Sequence, residues 1–410
     1  MPPYILITLV CLAEVFSLLG IATFPSLQSI LVDSWSLTNT DVGWINGIYF
    51  LGYLVFVPIL VSLTDRLSPK LIFLTGTIIA AGSGFGFAYL GQGFWSAMFF
   101  RFLAGVGLAG TYMPGLKMLT DQLESLNPSG EHSRAIAFYT ASFGVGSALS
   151  YFIAGETERF FGWENAFLIS SIGAMFAFII VLCAVPRVNL LSNVKSSHFL
   201  DFRPIVRNPE IMGYVFAYAI HNFELFAYRS WVVSYLLFVA SMSPASAIGI
   251  SATLIAAATN IVGLPSSVIG NELARRLGRH RVITAVMLLS AVLACFLGLA
   301  ALLPFWLVIT FCILYGITVT GESSSITAGV VAASQFEYKG ATMAVYSSIG
   351  FVGSFLGPLF FGIMLDISSM IGFESKTIWP WVLAFSMTGL IASLGPVGLA
   401  IARSARKNNL

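Results

Sequence analysis

The sequence predicts an all-α membrane protein that crosses the bilayer twelve times in two similar halves, and three observations carry that prediction. Of 410 residues, 57% are hydrophobic and only 9% are Asp, Glu, Lys or Arg, giving a mean hydropathy of +0.89. So little charge cannot cover the surface of a soluble chain of this size, whereas a lipid-facing surface has no use for more. Apolar runs near the ~20 residues needed to cross a hydrocarbon core recur from end to end. The chain also repeats itself, with Glu14 in the first apolar run answered by Glu224 in the seventh, 210 positions later.

Taken in order, the expected spans cover roughly 4–31, 41–62, 70–91, 94–120, 135–157 and 163–185, then 210–239, 246–270, 280–301, 304–333, 340–365 and 378–402. The first is too long for a signal peptide, contains Glu14 and lacks a small-residue cleavage site, so it is expected to be a retained helix. A polar joint rich in Ser, Asn, Pro and basic residues separates the sixth span from the seventh. The domains are therefore expected at 1–190 and 210–410, six helices each, with a cytoplasmic linker over 191–209.

Basic residues set the orientation. With the N-terminus inside, Arg66, Lys70, Arg134, the four cations of the joint, Arg275, Arg276, Arg279, Arg281, Lys339, Arg403, Arg406 and Lys407 are cytoplasmic, against Arg159 and Lys376 outside. That bias places both termini in the cytoplasm. The net charge of +2 says little about partners, and nucleic acid is not expected, because the basic residues sit in short juxtamembrane loops. The four cysteines all fall in apolar runs, which disfavours disulfides and a thiolate metal cluster.

The halves agree in detail. Asp65-Arg66-Leu67 between spans two and three matches Arg275-Arg276-Leu277 between spans eight and nine at an offset of 210, while Tyr139, Gly146 and Gly155 find Tyr346, Gly353 and Gly362 at 207. Duplicated halves of this kind are a device of secondary transporters, whose solute site lies at the repeat interface. Asp65 and Arg66 are expected to join helix ends by charge-assisted hydrogen bonds that break as the halves move, a gating role extended to Arg275 and Arg276. A plainer reading of the second-half arginines is that they only enforce topology.

With these motifs the chain resembles the major facilitator superfamily of secondary transporters. The resemblance rests on Thr64-Asp65-Arg66-Leu67-Ser68-Pro69-Lys70, on Glu272 to Arg281, on Arg101 with Gly105 and Gly107, and on Gly357-Pro358 with Asp366. Ser68 and Val61 stand where the family usually has glycine. The resemblance implies twelve helices in two pseudo-symmetric six-helix bundles, with spans one, four, seven and ten lining a central cavity, and it extends the gating role to Arg101.

A charge at mid-bilayer costs at least about 2.5 kcal/mol unless it faces a cavity or a partner. Glu14, Arg101, Lys117, His221, Glu224, Arg229 and Glu322 are such residues, and all fall on those four spans. Glu224 is the first candidate for a proton-coupling carboxyl, ahead of Glu14 and Glu322, and His221, three residues before Glu224, shares its helical face and is a candidate to relay that proton. Lys117 and Arg229 favour an anionic solute, with an ion pair between Lys117 and Asp121 as the plainer alternative. Tyr112, Tyr139, Tyr218, Tyr228, Trp231 and Tyr346 are candidate cavity-lining rings, and Pro25, Pro114, Pro265 and Pro358 candidate kinks.

The expected function is alternating-access transport by proton-coupled symport of a small anion. The alternatives are proton-coupled antiport that exports a drug or metabolite and, below it, metal-ion transport. Span five reads Gly144-Val145-Gly146-Ser147, without the proline that marks many antiporters of the resembled family. An enzyme is not expected, since the chain has no HExxH, GxSxG or Walker motif, and no cofactor is implied. The expected setting is a bacterial inner membrane, with the protein a monomer.

Overall fold

In the computed structural model, which describes residues 2–64, 66–126, 132–186, 202–242, 251–335, 338–374 and 376–408, the described chain is helical with no strand. The helices are α1 (Pro3–Ser17), α2 (Thr23–Trp35), α3 (Asn39–Leu63), α4 (Pro69–Leu90), α5 (Phe94–Leu126), α6 (Ser133–Phe161), α7 (Trp163–Ala184), α8 (Arg203–Val206), α9 (Pro209–Met242), α10 (Ala252–Leu277), α11 (Arg279–Leu297), α12 (Phe305–Gly321), α13 (Ser323–Ala333), α14 (Lys339–Met370), α15 (Trp379–Ala392) and α16 (Gly395–Asn408). Among the described residues, 11 helices are long and apolar enough to cross a membrane, with α1 as a shorter apolar helix. The expected linker over 191–209 falls outside the described residues up to 201, and α8 and the start of α9 follow it.

By internal contacts the chain forms two compact units, Met1–Leu37 with Ile48–Val194, and Thr38–Gly47 with Lys195–Leu410. The first unit has a core of Leu6, Val10, Phe73, Met118, Leu119 and Val181. Its α4 and α5 approach so closely that a Cβ on Gly76 would stand 2.8 Å from the Gly110 backbone, so a side chain at either position would force the helices apart. The second unit is centred on Val215, Ile283, Met287, Ile326, Val330 and Leu399. Within it, Asp366 of α14 caps the first turn of α3, accepting from Asn39 N (3.2 Å), Asn39 Nδ2 (2.8 Å), Thr40 N (2.7 Å) and Thr40 Oγ1 (2.6 Å). A carboxylate there satisfies amides that have no helical partner and complements the helix dipole.

Three spans expected as single helices are interrupted. The first breaks over residues 18–22, between α1 and α2. The tenth breaks at Glu322, which caps both α12 and α13 with φ −90° and ψ −12°. The twelfth breaks before Gly395. Hydropathy has no term for a break, because a turn buried among helices is as apolar as the helix it interrupts. Pro25 is not an internal kink, since it lies in the first turn of α2 where its missing N–H is tolerated; Pro58, Pro114, Pro265 and Pro358 are the prolines inside helices.

Candidate functional site

Three carboxyls are fully enclosed within the spans, Glu14, Glu224 and Glu322, each 0% exposed. In the first unit Glu14 lies near the end of α1, where Tyr139 of α6 reaches its Oε2 at 2.8 Å. The same Tyr139 hydroxyl is 2.8 Å from the Tyr112 carbonyl and 3.3 Å from that of Thr111. One hydroxyl proton cannot serve all three acceptors at once. With Glu14 ionised, Tyr139 donates to the carboxylate; with Glu14 protonated, the acid can donate to Tyr139 and release its O–H to a carbonyl of α5. Protonation of Glu14 therefore rewires a contact between α6 and α5. Glu14 Oε1 has no hydrogen-bond partner among the described residues.

In the second unit Glu224 of α9 accepts from Ser290 Oγ (2.5 Å, α11) and Tyr315 Oη (3.0 Å, α12), both on Oε1, and its Oε2 has no described partner. Glu322 at the break of the tenth span meets His221 Nδ1 of α9 through Oε1 at 2.9 Å, with both groups at most 1% exposed. One proton lies between that imidazole and that carboxyl, carried by either. His221 Nε2 and Glu322 Oε2 have no described partner. Glu224 follows His221 by three residues, so α9 carries both the Glu224 cluster and the partner of Glu322.

His221 shares a face of α9 with Glu224, and its hydrogen-bond partner is Glu322 of the tenth span. Lys117 pairs with Asp121 at 3.2 Å, one turn away and about one-third exposed, as the plainer alternative for it had it. Arg229 is half-buried, with its guanidinium 5.6 Å from the Phe226 ring. Among the rings expected to line a cavity, Tyr228 instead donates to the Cys312 carbonyl and Trp231 to that of Pro358, while Tyr346 stacks on Tyr218 and bonds Thr327.

The gating residues are dispersed. Asp65 lies outside the described residues, and Arg66 is exposed. Arg275 and Arg276 both reach exposed Glu272, at 3.2 and 2.8 Å. Arg101, only 2% exposed, donates through Nη1 to the Gly20 carbonyl (3.2 Å) and through Nη2 to that of Ile21 (3.4 Å). Arg101 thus caps two carbonyls of the turn that interrupts the first span. The sequence passed over Ser290 and Tyr315, because a hydroxyl in an apolar span most often bonds its own helix; Tyr139 was signalled by its repeat at Tyr346.

Similarity to known proteins agrees with this architecture. The niacin transporter NiaP of Acinetobacter baylyi is 28% identical over 178 residues, 43% of this chain and 39% of that protein. The quinolone resistance protein NorA of Staphylococcus aureus is 24% identical over 225 residues, 53% of this chain and 56% of NorA. These matches cover less than two thirds of either relative's length. A bacterial homologue of the human lysosomal transporter Spinster, solved inward-facing and unoccupied, superposes with a TM-score of 0.73 at 16% identity, covering 98% of this chain and 96% of that one. A variant of the nucleoside transporter NupG superposes at 0.71 with 17% identity, covering 95% and 99%. At such identities these structures establish the fold. The chain itself matches the Major Facilitator Superfamily over residues 10–358 and again over 251–408, and with its membrane-length helices it belongs to that family of transporters.

Proposed function

We propose that this transporter works by alternating access as a proton-coupled symporter of a small anionic solute, with Glu224, Glu322 and Glu14 as the protonatable groups. The observation that supports this reading is that each buried carboxyl uses one oxygen for neighbouring side chains and keeps the other free of donors among the described residues. A carboxyl held that way can change protonation without losing its anchor. Removing its charge removes a buried ion and biases which conformation is favoured. His221 shares the proton of Glu322 rather than that of Glu224. Arg229 and Lys117 supply positive charge for the solute, Lys117 after exchange of its Asp121 partner. Asp65, Arg66, Arg101, Arg275 and Arg276 act on conformation. The protein is placed as a monomer in a bacterial inner membrane with both termini cytoplasmic.

Proton-coupled export is the second reading, favoured by the similarity to a quinolone resistance protein. Proteoliposomes carrying a lumenal pH dye distinguish the two when screened with small carboxylates, nitrate-like anions, amino acids and cationic drugs. Acidification of the lumen together with anion entry, lost in Glu224→Gln, is the expected result. Proton counterflow against cations would replace symport by export, and anion flux unchanged in Glu224→Gln would remove that residue from coupling.

A further inference from the structure

Arg101, like Lys70, is a cation buried in the first unit. Its guanidinium is buried inside the helices, yet the ion pairs among the described residues join other groups. Two of its five N–H bonds go to the carbonyls of Gly20 and Ile21. Its ring contacts are Tyr49, 4.4 Å from the centroid, and Phe24 at 5.8 Å. Carbonyl dipoles and an aromatic face offset part of a buried positive charge, and less of it than an anion would. The Nε–H has no partner among the described residues.

A cavity of about 30 Å³ adjoins this guanidinium. Hydroxyls of Ser17, Ser83 and Ser170 line it together with Arg101, and Phe87, Phe100 and Phe167 wall it. All of these residues belong to the first unit. The three serines already donate to carbonyls of their own helices, but a hydroxyl rotor turns readily toward a new acceptor. A single water needs only about 10–15 Å³ of such space, so the cavity takes a small anion of one to a few atoms. No carboxyl is among the lining residues, although Glu14 Oε2 lies 3.5 Å from the lining Ser17 hydroxyl.

We propose that this cavity binds one small inorganic anion, chloride under ordinary conditions, held by the Arg101 guanidinium and the surrounding serine hydroxyls. The site lies within the first unit and does not depend on which solute the protein carries or on whether protons drive it. Its bound ion completes the electrostatics of the guanidinium that bonds the Gly20 and Ile21 carbonyls in the turn after α1.

The test uses the full chain purified in detergent. Thermal unfolding is followed in sodium chloride, bromide and gluconate at constant sodium and ionic strength, for the wild type, Arg101→Gln and the cavity-filling Ala104→Leu. The expected result is a saturable rise in midpoint of about 3 °C or more with chloride or bromide over gluconate, with the half-saturating halide concentration raised at least tenfold in both variants. Equal midpoints in all three salts, or the same halide response in the variants, would overturn the site. If the variants do not fold, crystals of the wild type grown in bromide decide the matter. An anomalous peak within hydrogen-bonding distance of the guanidinium supports the proposal; bromide confined to the surface, an adventitious ion only, overturns it.

Discussion

Glu14 and Glu224 occupy equivalent places in the repeat, yet they are wired differently. Glu14 has a single strong partner from another helix, the hydroxyl of Tyr139. Glu224 is served by Ser290 and Tyr315 from two other helices, and a second carboxyl, Glu322, stands nearby with His221. At 210 positions before Ser290, Tyr315 and Glu322 the first half has Ala80, Gly105 and Tyr112. The repeat thus keeps the carboxyl, while donors of the second half have no counterpart at that offset. The second unit holds a network whose members depend on one another; the first holds a carboxyl governed by one hydroxyl.

The largest test of that contrast is the buried pair in the second unit. His221→Ala strands Glu322 without its partner and is expected to cost about 3–5 kcal/mol of stability, read as a fall in unfolding midpoint of the purified protein. A double-mutant cycle with Glu322→Gln should recover much of that loss, and additive effects would refute a paired proton. Next, Arg101→Met leaves the Gly20 and Ile21 carbonyls without their donor and removes two charge-assisted bonds, an expected loss of about 2–4 kcal/mol in the same measurement. A stability within 0.5 kcal/mol of wild type would show that the broken first span needs no brace.

Tyr139→Phe sharpens the comparison further. It should cost about 1–3 kcal/mol, because Glu14 loses its hydroxyl partner, whereas Tyr346→Phe at the repeat position loses hydroxyl contacts, that to Thr327 among them, and should cost about 0.5–1.5 kcal/mol. Equal losses at the two positions would mean that the halves are wired alike after all. The smallest expected effect is Lys117→Ala, which removes a partly exposed pair one helical turn long and should change stability by under about 0.5 kcal/mol. Solute uptake by that variant separates the two roles of the lysine. A raised KM with unchanged coupling fits contact with the solute, and unaltered uptake reduces Lys117 to its pair with Asp121.

The charges of the candidate site were legible in the sequence because a carboxyl or guanidinium in an apolar run is anomalous and demands a partner. Glu14, Glu224, Glu322 and Arg101 were found that way. Their partners were not, because Ser290 and Tyr315 are ordinary residues whose importance arises only when other helices bring a carboxyl to them. The helical architecture was legible from hydropathy and repetition, but the breaks were not. The contact of His221 with Glu322 joins two helices, and spacing along α9 alone cannot show it.

Among the described carboxyls Glu322 alone has its own backbone as the single-residue interruption between α12 and α13. Under the proposed coupling, the carboxyl that exchanges a proton sits a few bonds from the torsions that set the direction of the tenth span. On that proposal a chemical event at the side chain needs no lever arm of intervening residues to become a mechanical one, and hinge and trigger would be the same amino acid.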